Sequence, residues 1–556
     1  RTAKRAALAA VQIAVDMAEE KLITKSEALA RVVPSSILDI LCPQLDLSVE
    51  NPPVLAQGIP ASPGAAVGKI ALSAVQAVNM AAGGEAVILV TEETTADDIQ
   101  GMAVSVGLLT ARGGATSHAA VVARGLGKCC ITGAKAVCIN EQGDSVQIGG
   151  KTFCAGDWIS LDGSTGRAFE GQQPLRPASP ITPVLDTLLM WADQVSSCVV
   201  RANADTPEDA TAARAAGAKG IGLCRTEHMF FAPDRLNHMR TMILATNAQD
   251  RVKALDVLLP IQQRDFEEIF RTMSPLPVTI RLLDPPLHEF LPSIAEISTE
   301  IAGARVDENW DHCITLESVR QRAHQLMEVN PMMGHRGCRL SLTYPEILQM
   351  QVRAILQAAL TVSREGYDPS PEIMVPFVAT EEEMRVLART IYETAEEVFL
   401  DDSERIQYTI GTMIELPRAI VCAGAIAKHV SFISFGTNDL TQMTYGFSRD
   451  DARNYLDSYL EQGILKTDPF VTIDQEGVGY LMDMAIKGVR SVNPRIKIGV
   501  CGEHGGDPDS IRFFHSLGVD YVSCSPARLP VAQLAAAQAT GICSSEIDYV
   551  STPKAS

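Results

Sequence analysis

The sequence predicts an α/β protein: a C-terminal (β/α)8 barrel, preceded by a smaller α/β domain and a short helical N-terminal segment. Three observations carry that expectation. The first is a set of eight short apolar runs beyond about residue 190, each followed by a longer amphipathic stretch: "CVVRAN", "GIGLCR", "PVTIRLL", "EIMVPF", "YTIGTMI", "FISFG", "KIGVCG" and "DYVSCS". Near-continuous apolar strands fit a parallel sheet covered on both faces, and eight β/α units in one stretch fit a closed barrel. The second is the texture of residues 55–170, where β-rich runs such as "AVILVT" and "VGLLTA" alternate with glycine turns and end at "WISLDGSTGRAFEG". The third is a pair of proline-rich connectors, "CPQLDLSVENPPV" and "QQPLRPASPITP". The second of these reads as a semi-stiff hinge between bodies able to move relative to one another.

The elements follow in order. Residues 1–50 read as helical: Leu8, Val11 and Val15 fall on one face, and Thr24 with Glu27 forms a capping box before "ALARVV". The α/β domain is expected over 51–172, a linker over 173–190 and the barrel over 191–556, with a long excursion at about 284–370 read as a loop region after the third strand. A chain of 556 residues has room for three or four domains.

Composition narrows the partners. Hydrophobic residues make up 46% and charged residues 21%, as in ordinary globular proteins. A formal charge of −20 argues against a nucleic-acid surface or an anionic membrane as partner. Small anions would then be held by local arginines, backbone amides or metal. No run of about 18 apolar residues and no secretory signal pattern is present, so no membrane span is expected. Thirteen cysteines without a Cys-x-x-Cys pair suit free thiols in a reducing compartment. A cytoplasmic location is expected on that ground, and a plastid or other organelle is compatible with it.

Active sites of barrels sit at the C-terminal ends of the strands. Here the strands run into Asn203, Arg225, Arg281, Pro376, Glu415, Asn438 with Asp439, Cys501 and Ser525. One polar strand end is ordinary; this many on one rim points to a site. Glu415 and Asp439, on neighbouring strand ends, suit Mg²⁺ or Mn²⁺, which prefer oxygen ligands and keep positions for substrate and water. The plainer reading is two surface acids bonded to loops. Arg225 and Arg281 weigh against it, because their forks match carboxylate or phosphate oxygens. "GTND" adds backbone N–H groups at a tight turn. Together these describe a site for a small, multiply anionic molecule. Cys501 would by default be a packing residue, yet at a rim a thiol can serve as general acid or base. His504 and Glu503 could orient it or supply its proton.

The stretch "TARGGATSHAAVVARGLGKCC" places His118 where a small-residue loop turns into a helix. A lone histidine is most often structural. In this setting Gly113 and Gly114 allow close backbone approach to a phosphate, and Thr116 and Ser117 supply hydroxyls. The helix N-terminus offers free N–H groups and a positive dipole end, with Arg124 two turns on. The dipole and the arginine favour a neutral ring, which is a competent nucleophile towards phosphorus. His118 is therefore read as a phosphoryl carrier.

The segments "GGATSHAAVVARGLGKCC", "GIGLCRTEHMFF", "RLLDPPLHEFLP", "GHRGCRLSLTYPEI", "GTMIELPRA", "FGTNDLTQMTYGFSRDD" and "CGEHGGDP", in this order, resemble the pyruvate, phosphate dikinase family. The sequence is similar also to phosphoenolpyruvate synthase and to enzyme I of the sugar phosphotransferase system, which share a swivelling histidine domain and a barrel. The resemblance implies that His118 is phosphorylated and carried between two sites by rotation of its domain. It implies that Arg225, Arg281 and Asn438 bind pyruvate or phosphoenolpyruvate, helped by backbone at Gly436 and Thr437. Glu415 and Asp439 would hold Mg²⁺ beside the substrate, and Cys501 would protonate the methylene carbon of enolpyruvate. Thr116 stands where plant members carry a regulatory phosphorylation site, and a homodimer through the barrel is implied. The family's ATP-grasp nucleotide domain is expected to be represented only by its final helices, residues 1–50. The expected activity is therefore the half-reaction between phosphoenolpyruvate and His118, with ATP and AMP handled only by a nucleotide domain. Enzyme I would insert a helical partner-binding domain for which residues 1–50 are too short. A non-catalytic scaffold would be expected to lose Glu415, Asp439 or Cys501, and all three are present.

Overall fold

The computed structural model describes residues 7–46, 52–94, 98–114, 117–140, 143–176, 182–231, 233–449 and 451–542. Helix α1 (Ala7–Glu19) buries Val11 and Val15, whereas Leu8 stays 39% exposed, so the expected apolar stripe is one position narrower. Helix α2 (Lys25–Arg31) has its capping box: the Glu27 amide donates to Thr24 Oγ1 (3.2 Å) and the Thr24 amide to Glu27 Oε2 (2.7 Å).

Next comes an eight-stranded mixed sheet. Its centre is four parallel strands, Ala65–Ala71, Val87–Thr91, Gly107–Thr110 and Cys129–Thr132. Val87, Ile88, Leu89 and Val90 are fully buried, as a strand covered on both faces requires. Helix α3 (His118–Gly125) follows the C-terminal end of one of these central strands. A three-stranded antiparallel sheet over Val137–Ile139, Ser145–Ile148 and Lys151–Cys154 sits beside it.

Within the stretch expected as linker, α4 (Pro183–Val195) is a helix, capped by Thr182 with proline in its first turn. Its Leu185, Leu188 and Trp191 share one apolar core with Val11 and Leu29 of the N-terminal helices.

The eight apolar runs form a closed parallel barrel: β1 (Val199–Asn203), β2 (Ile221–Arg225), β3 (Pro277–Arg281), β4 (Ser370–Val375), β5 (Thr409–Ile414), β6 (Phe432–Phe435), β7 (Lys497–Val500) and β8 (Tyr521–Cys524). The last helix, α5 (Leu529–Ile542), brings Val531 and Leu534 into the core of α4 and the N-terminal helices. Gln538 ties them further, donating to the carbonyls of Leu29 (2.8 Å) and Val32 (2.7 Å).

The barrel departs from the sequence reading in two ways. The strand bodies are not uniformly apolar, because the outward faces pack on helices while the narrow interior holds paired charges. Buried Glu372 accepts from Arg201 Nη1 (2.7 Å), Thr279 Oγ1 (2.6 Å) and Lys497 Nζ (2.6 Å), and Arg201 lies 4.1 Å from the Tyr521 ring. Charges are tolerated there because each is paired. Space is so limited that a Cβ at Gly499 would lie 2.0 Å from the Tyr521 ring. Secondly, the excursion after β3 is helical: Ile294–Val306, Trp310–Leu326, Cys338–Thr343 and Pro345–Arg364. Its Phe290, Ile297, Ile301 and Leu316 share one apolar core with Phe230, Met242 and Leu258 from the segment between β2 and β3. Among the described residues, no helix is long and apolar enough to cross a membrane.

Candidate active site

A cavity opens at the C-terminal mouth of the barrel, and Arg225, Arg281, Arg336, Glu415, Asp439 and Cys501 stand in its wall with Gly436 and Asn438. Strand geometry explains the gathering: β2, β3 and β5 end at or one residue before Arg225, Arg281 and Glu415, the helix Thr437–Tyr445 after β6 carries Asp439 in its first turn, and Cys501 directly follows β7.

The cationic side is braced by buried acids. Arg225 donates its backbone amide to Asp205 Oδ1 (2.7 Å) and its Nη1 to Oδ2 (3.2 Å), and His228 Nδ1 lies 2.8 Å from the same oxygen. Burial opposes ionisation of Asp205, but Arg225 and His228 outweigh it and hold the carboxyl at about 2. Arg281 is bonded to Glu227 and, at 2.9 Å, to Asp284. Burial works against its charge, and Glu227, Asp284 and Glu415 more than restore it, so its pKa is raised. Arg336 completes the trio, with Nη2 at 2.5 Å from Asp284 Oδ2 and Nη1 at 3.6 Å from Asp439 Oδ1. Sequence reasoning missed Arg336, because it belongs to the helical excursion and not to a strand end. The motif "GHRGCRL" was its only signal.

Glu415 is fully buried. Its Oε1 accepts from the Phe377 amide (2.7 Å), and its Oε2 is buried without a hydrogen-bond partner. Burial, then the nearby Asp439 and Asp284 charges, push this carboxyl well above the usual carboxylate range. A buried, unsatisfied carboxylate oxygen beside a second acid is costly unless a cation joins them. The donor set therefore fits a hard divalent ion. Among the described residues, no group of three or more His, Cys, Asp or Glu side chains is placed to hold a metal. Two carboxylates alone suit an ion that keeps most of its positions for water and substrate oxygens, as Mg²⁺ does.

Cys501 is 2% exposed, and its thiol donates to the Phe435 carbonyl at 3.6 Å. Burial pushes it up to about 11, Ser434 offsets part of this and Glu415 adds to it. The thiol therefore keeps its proton at neutral pH. His504 does not serve it. Its Nε2 lies 2.8 Å from the Pro469 carbonyl and its Nδ1 2.8 Å from Thr437 Oγ1. A carbonyl only accepts, so Nε2 carries the hydrogen and the Thr437 hydroxyl donates to Nδ1. Burial lowers the pKa of this ring, which braces the turn carrying Thr437. The Thr437 side chain is thereby occupied and fully buried. Glu503 uses its amide, donating to Asn438 Oδ1 (3.1 Å) and fixing that side chain.

On the α/β domain, α3 begins at His118 and is capped by buried Ser117, whose Oγ accepts from the Ala120 amide (3.2 Å). The loop before it is cross-braced: the Ser117 amide (3.1 Å) and Thr132 Oγ1 (3.1 Å) both donate to the Gly114 carbonyl. Gly113 has φ +103°, and a Cβ there would lie 2.8 Å from Ser117 Cβ, so glycine is required. Thr116 lies outside the described residues, as do the side chains of His118 and Arg124. Val122, one turn beyond His118, lines the same cavity as the rim arginines. Helix α3 thus stands at the barrel mouth.

The chain matches two family descriptions: "PEP-utilising enzyme, PEP-binding domain" over residues 182–540, and "PEP-utilising enzyme, mobile domain" over 83–166. It is 51% identical over 544 residues to pyruvate, phosphate dikinase 1, chloroplastic, of Arabidopsis thaliana. It is 52% identical over 550 residues to the enzyme of that name in Oryza sativa subsp. japonica, and 49% identical over 541 residues to pyruvate, phosphate dikinase of Clostridium symbiosum. Each match covers 97% of this chain but only 55%, 56% and 61% of the respective relative, so the chain spans little more than half their length. With the first description covering well over half of its residues, the chain belongs to the PEP-utilising enzymes.

Proposed function

We propose that this chain carries the phosphoenolpyruvate/pyruvate half of a dikinase reaction, moving a phosphoryl group between phosphoenolpyruvate and His118. The observation that carries this reading is buried Glu415, one oxygen unsatisfied, beside Asp439, facing three braced arginines and a protonated thiol in one cavity. The relatives named dikinases favour this over the synthase or enzyme I types. In a chain that also carries a nucleotide-binding domain, ATP and phosphate would load the same histidine, with release of AMP and diphosphate.

The residues divide the work. A ring nitrogen of His118 attacks phosphorus as the phosphorus–oxygen bond to the enol breaks, and the electron pair stays on that oxygen. Arg225, Arg281 and Arg336, each held by a buried acid, oppose the charge of the carboxylate and phosphoryl oxygens without reorganising. Asn438 and the backbone at Gly436 and Thr437 orient the small substrate. A Mg²⁺ held by Glu415 and Asp439 would supply positive charge beside the enolate oxygen. Cys501 then gives its proton to the methylene carbon, forming pyruvate, and the thiolate regains a proton from solvent. In reverse, the thiolate removes a methyl proton. The proposed domain limits, 51–172 for the carrier and 191–556 for the barrel, and a homodimer through the barrel belong to the same reading.

The test is proton exchange at the pyruvate methyl group in deuterium oxide with Mg²⁺, followed by NMR. Wild-type chain should catalyse exchange, and Glu415→Gln should lower it by at least about 100-fold, as for loss of a metal ligand that stabilises developing charge. A folded wild type that binds divalent ion and exchanges nothing would overturn the proposal.

A further inference from the structure

The turn after β4 holds a residue in a conformation its side chain resists. Phe377 has φ +62° and is completely buried. A bulky residue in the left-handed region is a genuine outlier that persists only where its surroundings fix it, and such outliers gather at functional sites. Its surroundings do fix it. The Cys338 thiol donates to the Phe377 carbonyl (3.1 Å), and the Cys338 amide to the Pro376 carbonyl (3.1 Å). Gly337, itself at φ +57°, packs so closely that a Cβ would lie 2.6 Å from Phe377 Cβ. The same Gly337 amide donates to the Asp284 carbonyl (2.8 Å).

Two consequences meet at the site. The left-handed turn aims the Phe377 amide at Glu415 Oε1 (2.7 Å), leaving Oε2 as the unsatisfied oxygen. The phenyl ring lies under Arg336, whose guanidinium carbon is 4.3 Å from the ring centroid, with Arg339 at 4.8 Å. Arg336 is the arginine that reaches both Asp284 and Asp439. One residue thus sets the orientation of one acid by its backbone and of the arginine beside the other acid by its ring.

We infer that Phe377 is a positioning residue of this site. Its strained backbone presents Glu415 to the divalent ion, and its ring holds Arg336 against the anionic substrate. The inference rests on the reading of the site given above. It separates two functions in one residue, and two substitutions separate them experimentally. Phe377→Leu keeps bulk and the left-handed turn but removes the aromatic face. Phe377→Pro removes the amide that donates to Glu415 and cannot hold a positive φ.

The experiment titrates the full chain with Mn²⁺, followed by electron paramagnetic resonance, and measures half-saturation by pyruvate in methyl exchange. Phe377→Leu should raise the pyruvate half-saturation about tenfold while Mn²⁺ affinity stays within about twofold, because only the support of Arg336 is lost. Phe377→Pro should weaken Mn²⁺ by about 10–100-fold, the cost usual for losing a partner that orients a metal ligand. A purely structural Phe377 would lower thermal stability and leave both constants alone; that result in Phe377→Leu overturns the inference, whether or not Phe377→Pro folds. A wild type whose Mn²⁺ binding is indifferent to Glu415→Gln overturns the reading of the site, and the inference with it.

Discussion

Cys501 keeps its proton at neutral pH. Its thiol sits at about 11 because burial disfavours the thiolate. This lies above the ordinary thiol value near 8.5, so burial of the neutral thiol stabilises the fold fully below about pH 8.5 and less as pH rises towards 11. Catalysis has the opposite sign in one direction. Removing a methyl proton from pyruvate needs the thiolate, so exchange should climb about tenfold per pH unit between pH 7 and 9. A rate profile of methyl exchange checks this, and Cys501→Ala should be flat and near background. Arg225, Arg281, Glu415, Asp439 and Cys501 were legible as rim residues because each stands at or just beyond a strand end, whereas Arg336 stands in the excursion and was not. Nor was His504. Its sequence position beside Cys501 suggests a proton relay, and only the bonds to Pro469 and Thr437 show a bracing role.

At the scale of elements, the eight strands were readable because outward apolar residues must pack against helices, leaving runs such as "EIMVPF" and "FISFG". The interior was not readable. Arg201, Glu372 and Lys497 sit three strands or more apart in sequence, and their pairing exists only once the barrel closes. The excursion after β3 was misread as a loop because the partner surface of its helices, residues 230–258 between β2 and β3, comes beside them only in the folded chain. The helix behind His118 depends on local bonds that sequence does show, Ser117 as cap and Gly113 as the left-handed turn. Ser117→Ala removes the oxygen that accepts from the Ala120 amide. The substitution should destabilise the α/β domain by about 1 kcal/mol, the usual worth of such a cap. Chemical denaturation followed by circular dichroism measures it. Slower phosphorylation of His118 with unchanged pyruvate methyl exchange would show that the barrel is untouched.

For the whole molecule, the important relation is between two cores that share one cavity. On the proposed reading the barrel supplies charge stabilisation and a proton, and the α/β domain supplies the helix that begins at His118. Val122 of that helix already stands in the cavity wall with Arg225, Arg281 and Cys501. The N-terminal helices, α4 and α5 form a third core that ties the chain's two ends to the barrel. The measurement that tests this most directly is incubation with phosphoenolpyruvate labelled in its phosphate, in the presence of Mg²⁺, comparing wild type with His118→Asn. The account predicts acid-labile, base-stable label on the wild type alone, with pyruvate released in equal amount. A folded wild type that exchanges pyruvate methyl protons yet takes up no label, or a His118→Asn variant labelled as well as wild type, would contradict it.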